Sequence, residues 1–166
     1  MTEKNDTKQL IDRLEATRNL SRDEWIRLIQ NRTADDADYL FERAQAVRTR
    51  HYGRSVYIRG LIEFTNYCKN DCYYCGIRCS NSNANRYRLR EEDILACCAE
   101  GDRLGFRTFV LQGGEDPWYT TDRLSDLVHT IRTMYPDCAI TLSTGEATKA
   151  EYQQLFDAGA DRFLLR

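Results

Sequence analysis

From residue 55 to residue 166, strand-like and helix-like runs alternate without a break, and this alternation most narrows the folds open to the chain. "SVYIRGLIEF" (55–64) is rich in β-branched and aromatic residues and short for a helix, so it reads as a strand. "REEDILACCAEGDRLGF" then places Ile94, Leu95 and Cys98 on one helical face, and "RTFVLQ" (107–112) is a short buried strand. Leu124, Leu127, Val128 and Ile131 mark the next helix, and "AITLST" (139–144) is a third strand. Thr148 and Glu151 form a capping box ahead of a helix that stops at Gly159, and "DRFLLR" (161–166) supplies a fourth strand. Strand, helix, strand in this order predicts an α/β fold with right-handed crossovers, a parallel sheet and helices outside it.

Residues 1–54 read differently, as a helical extension. "SRDE" at 21–24 is a capping box, with Trp25, Leu28 and Ile29 supplying one apolar face behind it. A further helix carries Ala37, Leu40, Ala44 and Val47, with Gly53 placed to end it. The expected organisation is therefore a helical segment over 1–54 and an α/β segment over 55–166. Chemistry in such sheets collects at the carboxyl ends of the strands. Those ends carry a cysteine-rich loop after the first strand, "QGGEDP" after the second and "STGEAT" after the third, so the unusual loops share one rim.

Composition excludes several classes. The chain is 42% hydrophobic and 30% charged, a globular balance, and its net charge of −2 with interleaved signs offers no basic face for nucleic acid or anionic membrane. No apolar run approaches the roughly 20 residues that a bilayer-spanning helix needs. A cytoplasmic location is expected, in which the seven cysteines would be thiols or metal ligands rather than disulfides.

"NYCKNDCYYCGIRCSN" (66–81) holds four of those seven: Cys68, Cys72, Cys75 and Cys79. Thiolates at C-x3-C-x2-C spacing can wrap a soft metal or an iron–sulfur cluster, because a short loop lets the sulfurs converge. A structural zinc ion would use all four in a closed tetrahedron, but its paired C-x-x-C knuckles are missing. A four-cysteine electron-transfer cluster would favour a different run with a proline after the last cysteine. Three ligands and one open iron position is the favoured reading.

Cys68, Cys72, Tyr74 and Cys75, as C-x3-C-x-aromatic-C, resemble the defining motif of the radical S-adenosylmethionine (radical SAM) superfamily. Within it, "GLIEFTNYCKNDCYYCGIRCSN", "VLQGGEDP", "TLSTGE" and "AGADRFLLR" together are similar to the HydE family of FeFe-hydrogenase maturases, with biotin synthase and methylornithine synthase as related families. The resemblance spans about residues 20–166. It implies a partial (β/α) TIM-type barrel of the radical SAM class, ending after its fourth strand. It also implies that Cys68, Cys72 and Cys75 each ligate one iron of a 4Fe-4S cluster, that the open iron takes the amino and carboxylate groups of SAM, and that one electron cleaves SAM to methionine and a 5′-deoxyadenosyl radical. Gly113, Gly114 and Glu115 would form the methionine-binding turn, with Glu146 accepting from the SAM ribose or ammonium and Arg166 pairing with its carboxylate. Cys79 is not a ligand in the family.

The implied function is assembly of the hydrogenase diiron subcluster, acting on a small-molecule or organometallic substrate, with a ferredoxin or flavodoxin as reductant and other maturases as partners. Another biotin-synthase-like enzyme, such as a methylornithine synthase, and a non-enzymatic four-cysteine metal-binding domain are the alternatives. Because a whole (β/α)8 barrel takes about 250 residues, the chain is expected to be incomplete and inactive alone. Bland readings hold elsewhere: Cys97 and Cys98 point about 100 degrees apart on their helix, one buried and one near the surface. Cys138 packs, His51 and His129 face solvent, and Tyr73 covers the cluster or packs on the barrel.

Overall fold

The computed structural model describes residues 4–165. They divide into a helical unit through Val56 and an α/β unit from Tyr57.

The helical unit contains α1 (Lys4–Thr17), α2 (Arg22–Gln30) and α3 (Ala34–Tyr52). The Ser21 box closes α2 as read from the sequence: the Ser21 side chain accepts from Glu24 N, and Ser21 N donates to Glu24 Oε2 at 2.8 Å. Thr33 and Asp36 make an equivalent box for α3, and Gly53 caps its C-terminus at φ +62°. The apolar face of α2 is narrower than its periodicity predicts. Leu28 is buried with Ile11 and Leu20, whereas Trp25 and Ile29 remain 37% and 61% exposed.

The α/β unit is built on a four-stranded sheet in the order β1-β2-β3-β4, every pair parallel. Its strands are β1 (Gly60–Thr65), β2 (Thr108–Gly113), β3 (Ala139–Ser143) and β4 (Arg162–Phe163), joined through α4 (Glu91–Arg103), α5 (Thr121–Met134) and α6 (Lys149–Asp157). Two expected strands are shorter than read. The 55–64 run pairs only from Gly60, the partner of Phe109, so Val56, Tyr57 and Ile58 lie exposed outside the sheet. Among the described residues of the 161–166 run, only Arg162 and Phe163 hold ladder positions, against Thr141 and Leu142, although Leu164 N still donates to Leu142 O at 2.7 Å.

Side chains alternate across the sheet as a strand period of two requires. Ile62, Phe64, Phe109, Leu111, Ile140 and Leu142 point to one face and bury against Ile94 and Cys98 of α4, Leu124, Leu127, Val128 and Ile131 of α5, and Leu155 of α6. Each such large apolar side chain stabilises the unit by about 1.5–3 kcal/mol relative to exposure. The register aligns Glu63, Gln112 and Ser143 on the opposite face, and Gln112 Nε2 donates to Glu63 Oε1 at 3.2 Å. One face is therefore the helix-packed core and the other is partly polar.

The remaining cysteines follow their bland readings. Cys98 is fully buried and burial pushes its thiol up to about 12, while its neighbour Cys97 is exposed. Cys138 is buried just ahead of β3, and His51 and His129 are exposed on α3 and α5. No helix among the described residues is long and apolar enough to cross a membrane.

Candidate metal and cofactor site

The loop after β1 leaves the sheet through a bulge between Glu63 and Thr65 and returns beside the same strand end. Leu89 N donates to Phe64 O at 2.8 Å, and Thr65 bridges Arg88 in antiparallel fashion, so both ends of the cysteine loop are anchored at one point. Inside it, Cys75 N donates to Cys72 O and Cys79 N to Asn70 O, both at 2.9 Å. Ser80 N donates to Asp71 Oδ1 at 3.1 Å, and these Ser80 hydrogen bonds hold the Asp71 carboxyl below its ordinary range. Cys68 and Cys75 are half-buried, and Cys72 and Cys79 are exposed. Among the described residues, no three or more His, Cys, Asp or Glu side chains are grouped around a single ion position. Convergence on one point is what a tetrahedral zinc site demands; in a cubane cluster each thiolate binds a different iron.

The glycine turn at the end of β2 stands directly against this loop. A Cβ on Gly114 would lie 2.2 Å from Tyr67 O and 2.8 Å from Cys68 Cβ, so only glycine allows the two segments to approach this closely. Lys69 N donates to Glu115 O at 2.9 Å, and Lys69 Nζ lies 3.2 Å from Glu115 Oε2. The loop after β3 completes the arrangement. Gly145, at φ +97°, lies under the Glu115 side chain, where a Cβ would stand 2.0 Å from Glu115 Cγ. Lys69, Asn70, Glu115, Glu146, Thr148 and Glu151 line an open polar cleft of about 610 Å³.

The structure thus gathers Cys68, Gly113, Gly114, Glu115 and Glu146 at the strand ends. It does not bring in the aromatic residues. Tyr74 is 90% exposed and Tyr73 98% exposed, so of the two expected roles of Tyr73 the structure excludes packing on the sheet. Both are the central residues of the tight turn closed by Cys75 N on Cys72 O, and both rings are open to solvent. Arg166 lies outside the described residues.

Behind the cleft is a buried ionic link that the sequence did not single out. Asp116, whose side chain is 1% exposed, accepts from Arg88 Nε and Nη2 at 2.6 and 2.8 Å, from Thr65 Oγ1 at 2.7 Å and from Trp118 N at 3.1 Å. The Arg88 guanidinium also stacks 3.8 Å above the Tyr67 ring. The end of β1, the entry and return of the cysteine loop and the β2 turn are therefore tied to one carboxylate. Burial alone would raise the Asp116 carboxyl, but the hydrogen bonds from Arg88, Thr65 and the Trp118 amide outweigh it and hold the pKa below the ordinary value of 3.8. Its stabilisation is fully present above that ordinary value and is lost as pH falls through the lower folded value. Asp116→Asn should cost about 3 kcal/mol near neutrality, because it strands the Arg88 charge. In urea unfolding at several pH values, the gap between parent and variant should narrow as pH falls below the ordinary carboxylate value and through the lower folded one.

Lys69, Arg88, Asp116 and Gly145 are additions to the sequence-derived set. Only Gly145 and Asp116 had a signal, inside the rim segments "STGEAT" and "QGGEDP"; Lys69 and Arg88 sit in polar runs where a solvated residue is the usual outcome.

No family model matches the chain. It is 44% identical over 127 residues to the FeFe hydrogenase maturase subunit HydE of Thermotoga maritima, a match covering 76% of this chain and 36% of that protein. To the 3-methylornithine synthase of Methanosarcina acetivorans it is 32% identical over 148 residues, covering 88% of this chain and 42% of the synthase. The crystal structure of methylornithine synthase superposes with a TM-score of 0.81 at 29% identity, over 94% of this chain and 46% of that one. The chain thus spans roughly 36–42% of the length of these curated relatives. Sequentially ordered parallel strands with this likeness define a partial (β/α) barrel of the TIM type. The chain belongs to the radical SAM superfamily.

Proposed function

We propose that this chain carries the cluster- and SAM-binding part of a radical SAM enzyme, with Cys68, Cys72 and Cys75 as the thiolate ligands of a 4Fe-4S cluster. The observation that carries the reading is the close approach of the glycine turn to the cysteine loop, 2.2 Å from a Gly114 Cβ to Tyr67 O. Two segments about 40 residues apart, one offering soft ligands and one offering an acid beside glycines, meet at a single place on the rim. A cluster held by three thiolates would keep one iron free of protein and supply both a coordination position for the amino and carboxylate groups of SAM and the electron that cleaves its sulfonium.

The residues of the chain have distinct tasks in this reading. Glu115 accepts from the SAM ammonium, since an ammonium offers only donors and a carboxylate only acceptors. Its pair with Lys69 occupies one oxygen and leaves the other for the ligand, and Lys69, largely exposed, holds it weakly. Glu146 belongs to the lining of the same cleft and accepts from the ribose or ammonium. Gly113 and Gly114 leave room for the methionine end. Tyr74 contributes its backbone position in the loop, and Arg166 is assigned to the SAM carboxylate from the sequence alone.

The reaction to which this site contributes is maturation of the FeFe-hydrogenase active-site cluster, on a small-molecule or organometallic substrate, with a ferredoxin or flavodoxin as reductant and other maturases as partners. Its support is the 44% identity to HydE. Calorimetric titration of SAM into anaerobically reconstituted protein tests the binding reading. The parent should bind, and Glu115→Ala should bind about 10–100-fold more weakly, the loss of one charge-assisted hydrogen bond. Absence of SAM binding to the reconstituted parent overturns the proposal, and equal affinity in the variant removes Glu115 from it.

A further inference from the structure

The cysteine loop contains no helix or strand among residues 66–83, so something other than a regular ladder must define its shape. Its backbone carbonyls instead converge on one side chain. Arg86 Nη1 donates to Asn66 O at 2.5 Å and to Ile77 O at 2.9 Å, and Arg86 Nη2 donates to Arg78 O at 2.6 Å and Asn81 O at 3.3 Å. The two terminal nitrogens of a guanidinium carry four N–H bonds in one plane, and here each has a carbonyl. The acceptors lie on both sides of the ligand segment: Asn66 precedes Cys68, and Ile77, Arg78 and Asn81 follow Cys75. Arg86 itself is half-buried.

We infer that Arg86 is a positioning residue that fixes the cysteine loop in its ligand-presenting shape before any cluster is bound. The inference rests on the cluster reading proposed above. Its physical content is separable, because the four hydrogen bonds exist in the chain without a cluster. Loop closure of this kind otherwise costs backbone conformational entropy at each ordered residue. A guanidinium joining the entry to the exit offsets part of that cost at a single point. Lysine cannot substitute. Its ammonium has three donors in a tetrahedral array, so it can satisfy neither the number nor the plane of these carbonyls.

Other side chains support the same closure without duplicating it. Asn66 Nδ2 donates to Asn85 O and Asn66 Oδ1 accepts from Tyr87 N, both at 2.7 Å, which orients the returning segment that carries Arg86. Asn81 Nδ2 donates to Gly76 O at 2.7 Å, and Arg78 Nη1 to Cys75 O at 3.0 Å. The Asn81 and Arg78 bonds act within the second half of the loop and the Asn66 bonds join its two ends, whereas Arg86 alone of these side chains ties the entry to the 77–81 segment.

The test is amide hydrogen exchange on the 166-residue chain without metal, comparing parent, Arg86→Ala and Arg86→Lys, followed by iron determination after anaerobic reconstitution. Amides over 66–81 should exchange about tenfold or more faster in both variants, with β2 and β3 unchanged. Iron uptake should fall at least about twofold under conditions that load the parent with about four irons. Loop exchange within about twofold of the parent in Arg86→Ala overturns the inference. So does equal acceleration across the whole sheet, or failure of both variants to fold, since either makes Arg86 a residue of the general fold. A parent that takes up no iron sinks the cluster reading while leaving the exchange result to judge the loop on its own.

Discussion

Replacing Cys68, Cys72 or Cys75 with serine is expected to abolish the cluster, taking iron from about four per reconstituted chain to near zero, whereas Cys79→Ser should retain it. Serine is a hard oxygen ligand whose hydroxyl stays protonated where a cysteine thiol gives up its proton, and two remaining thiolates cannot hold a cube against exchange with solvent. Cys79 differs in its setting. Its amide donates to Asn70 O and the following amide, Ser80 N, donates to Asp71, so this turn closes on the loop's own backbone, with the Cys79 side chain exposed. Iron and sulfide analysis of the four variants checks the expectation. Loss from Cys79→Ser as complete as from Cys72→Ser would favour a four-thiolate site.

Gly114→Ala is the second substitution with a large expected effect. The new Cβ would meet Tyr67 O at 2.2 Å and Cys68 Cβ at 2.8 Å, and the nearest of these is backbone that cannot swing aside like a side chain. Relief requires the β2 turn and the cysteine loop to separate, which also pulls on the buried Asp116–Arg88 link one turn away. A cost of about 3 kcal/mol or more follows from overpacking against a fixed wall. Loss of SAM response is expected even where the fold survives. Gly76→Ala provides the contrast: it lies within the cysteine loop, yet a Cβ there meets nothing within 4 Å. It should change stability by no more than about 0.5 kcal/mol. Urea unfolding of both variants measures the difference, and equal stability would contradict the close packing of the two segments.

Periodicity carried the central elements of the α/β unit because its core faces are continuous. Leu124, Leu127, Val128 and Ile131 repeat at helical spacing and all four are buried, and the Thr148–Glu151 box begins α6 as its residue types require. The parallel order follows from the alternation alone. Edges were harder. Residues 55–59 have strand composition, but the ladder with β2 begins only at Gly60, and the short β4 is limited by the two positions it shares with β3. Propensity describes a residue's fit to a sheet, whereas the register decides where the sheet is.

The site divides in the same way. Cysteine spacing and the glycine–acid turn are local patterns, so Cys68, Cys72, Cys75, Gly113, Gly114 and Glu115 could be picked out before any fold was known. Arg86, Arg88 and Lys69 could not, because their partners lie across the loop or across the sheet, and an arginine in "NRYRLR" looks the same whether solvated or holding four carbonyls. Gly145 belongs between the two: its positive φ is a turn property, but its closeness to Glu115 is a property of two strands, β2 and β3, laid side by side.

The central claim is that three thiolates hold a cluster whose remaining iron is open to SAM. Electron paramagnetic resonance of the reduced, reconstituted chain with and without saturating SAM measures this most directly. The account predicts about four irons per chain and a reduced-cluster spectrum whose g-values move when SAM is added. A fully loaded cluster whose spectrum stays superimposable at saturating SAM would contradict it.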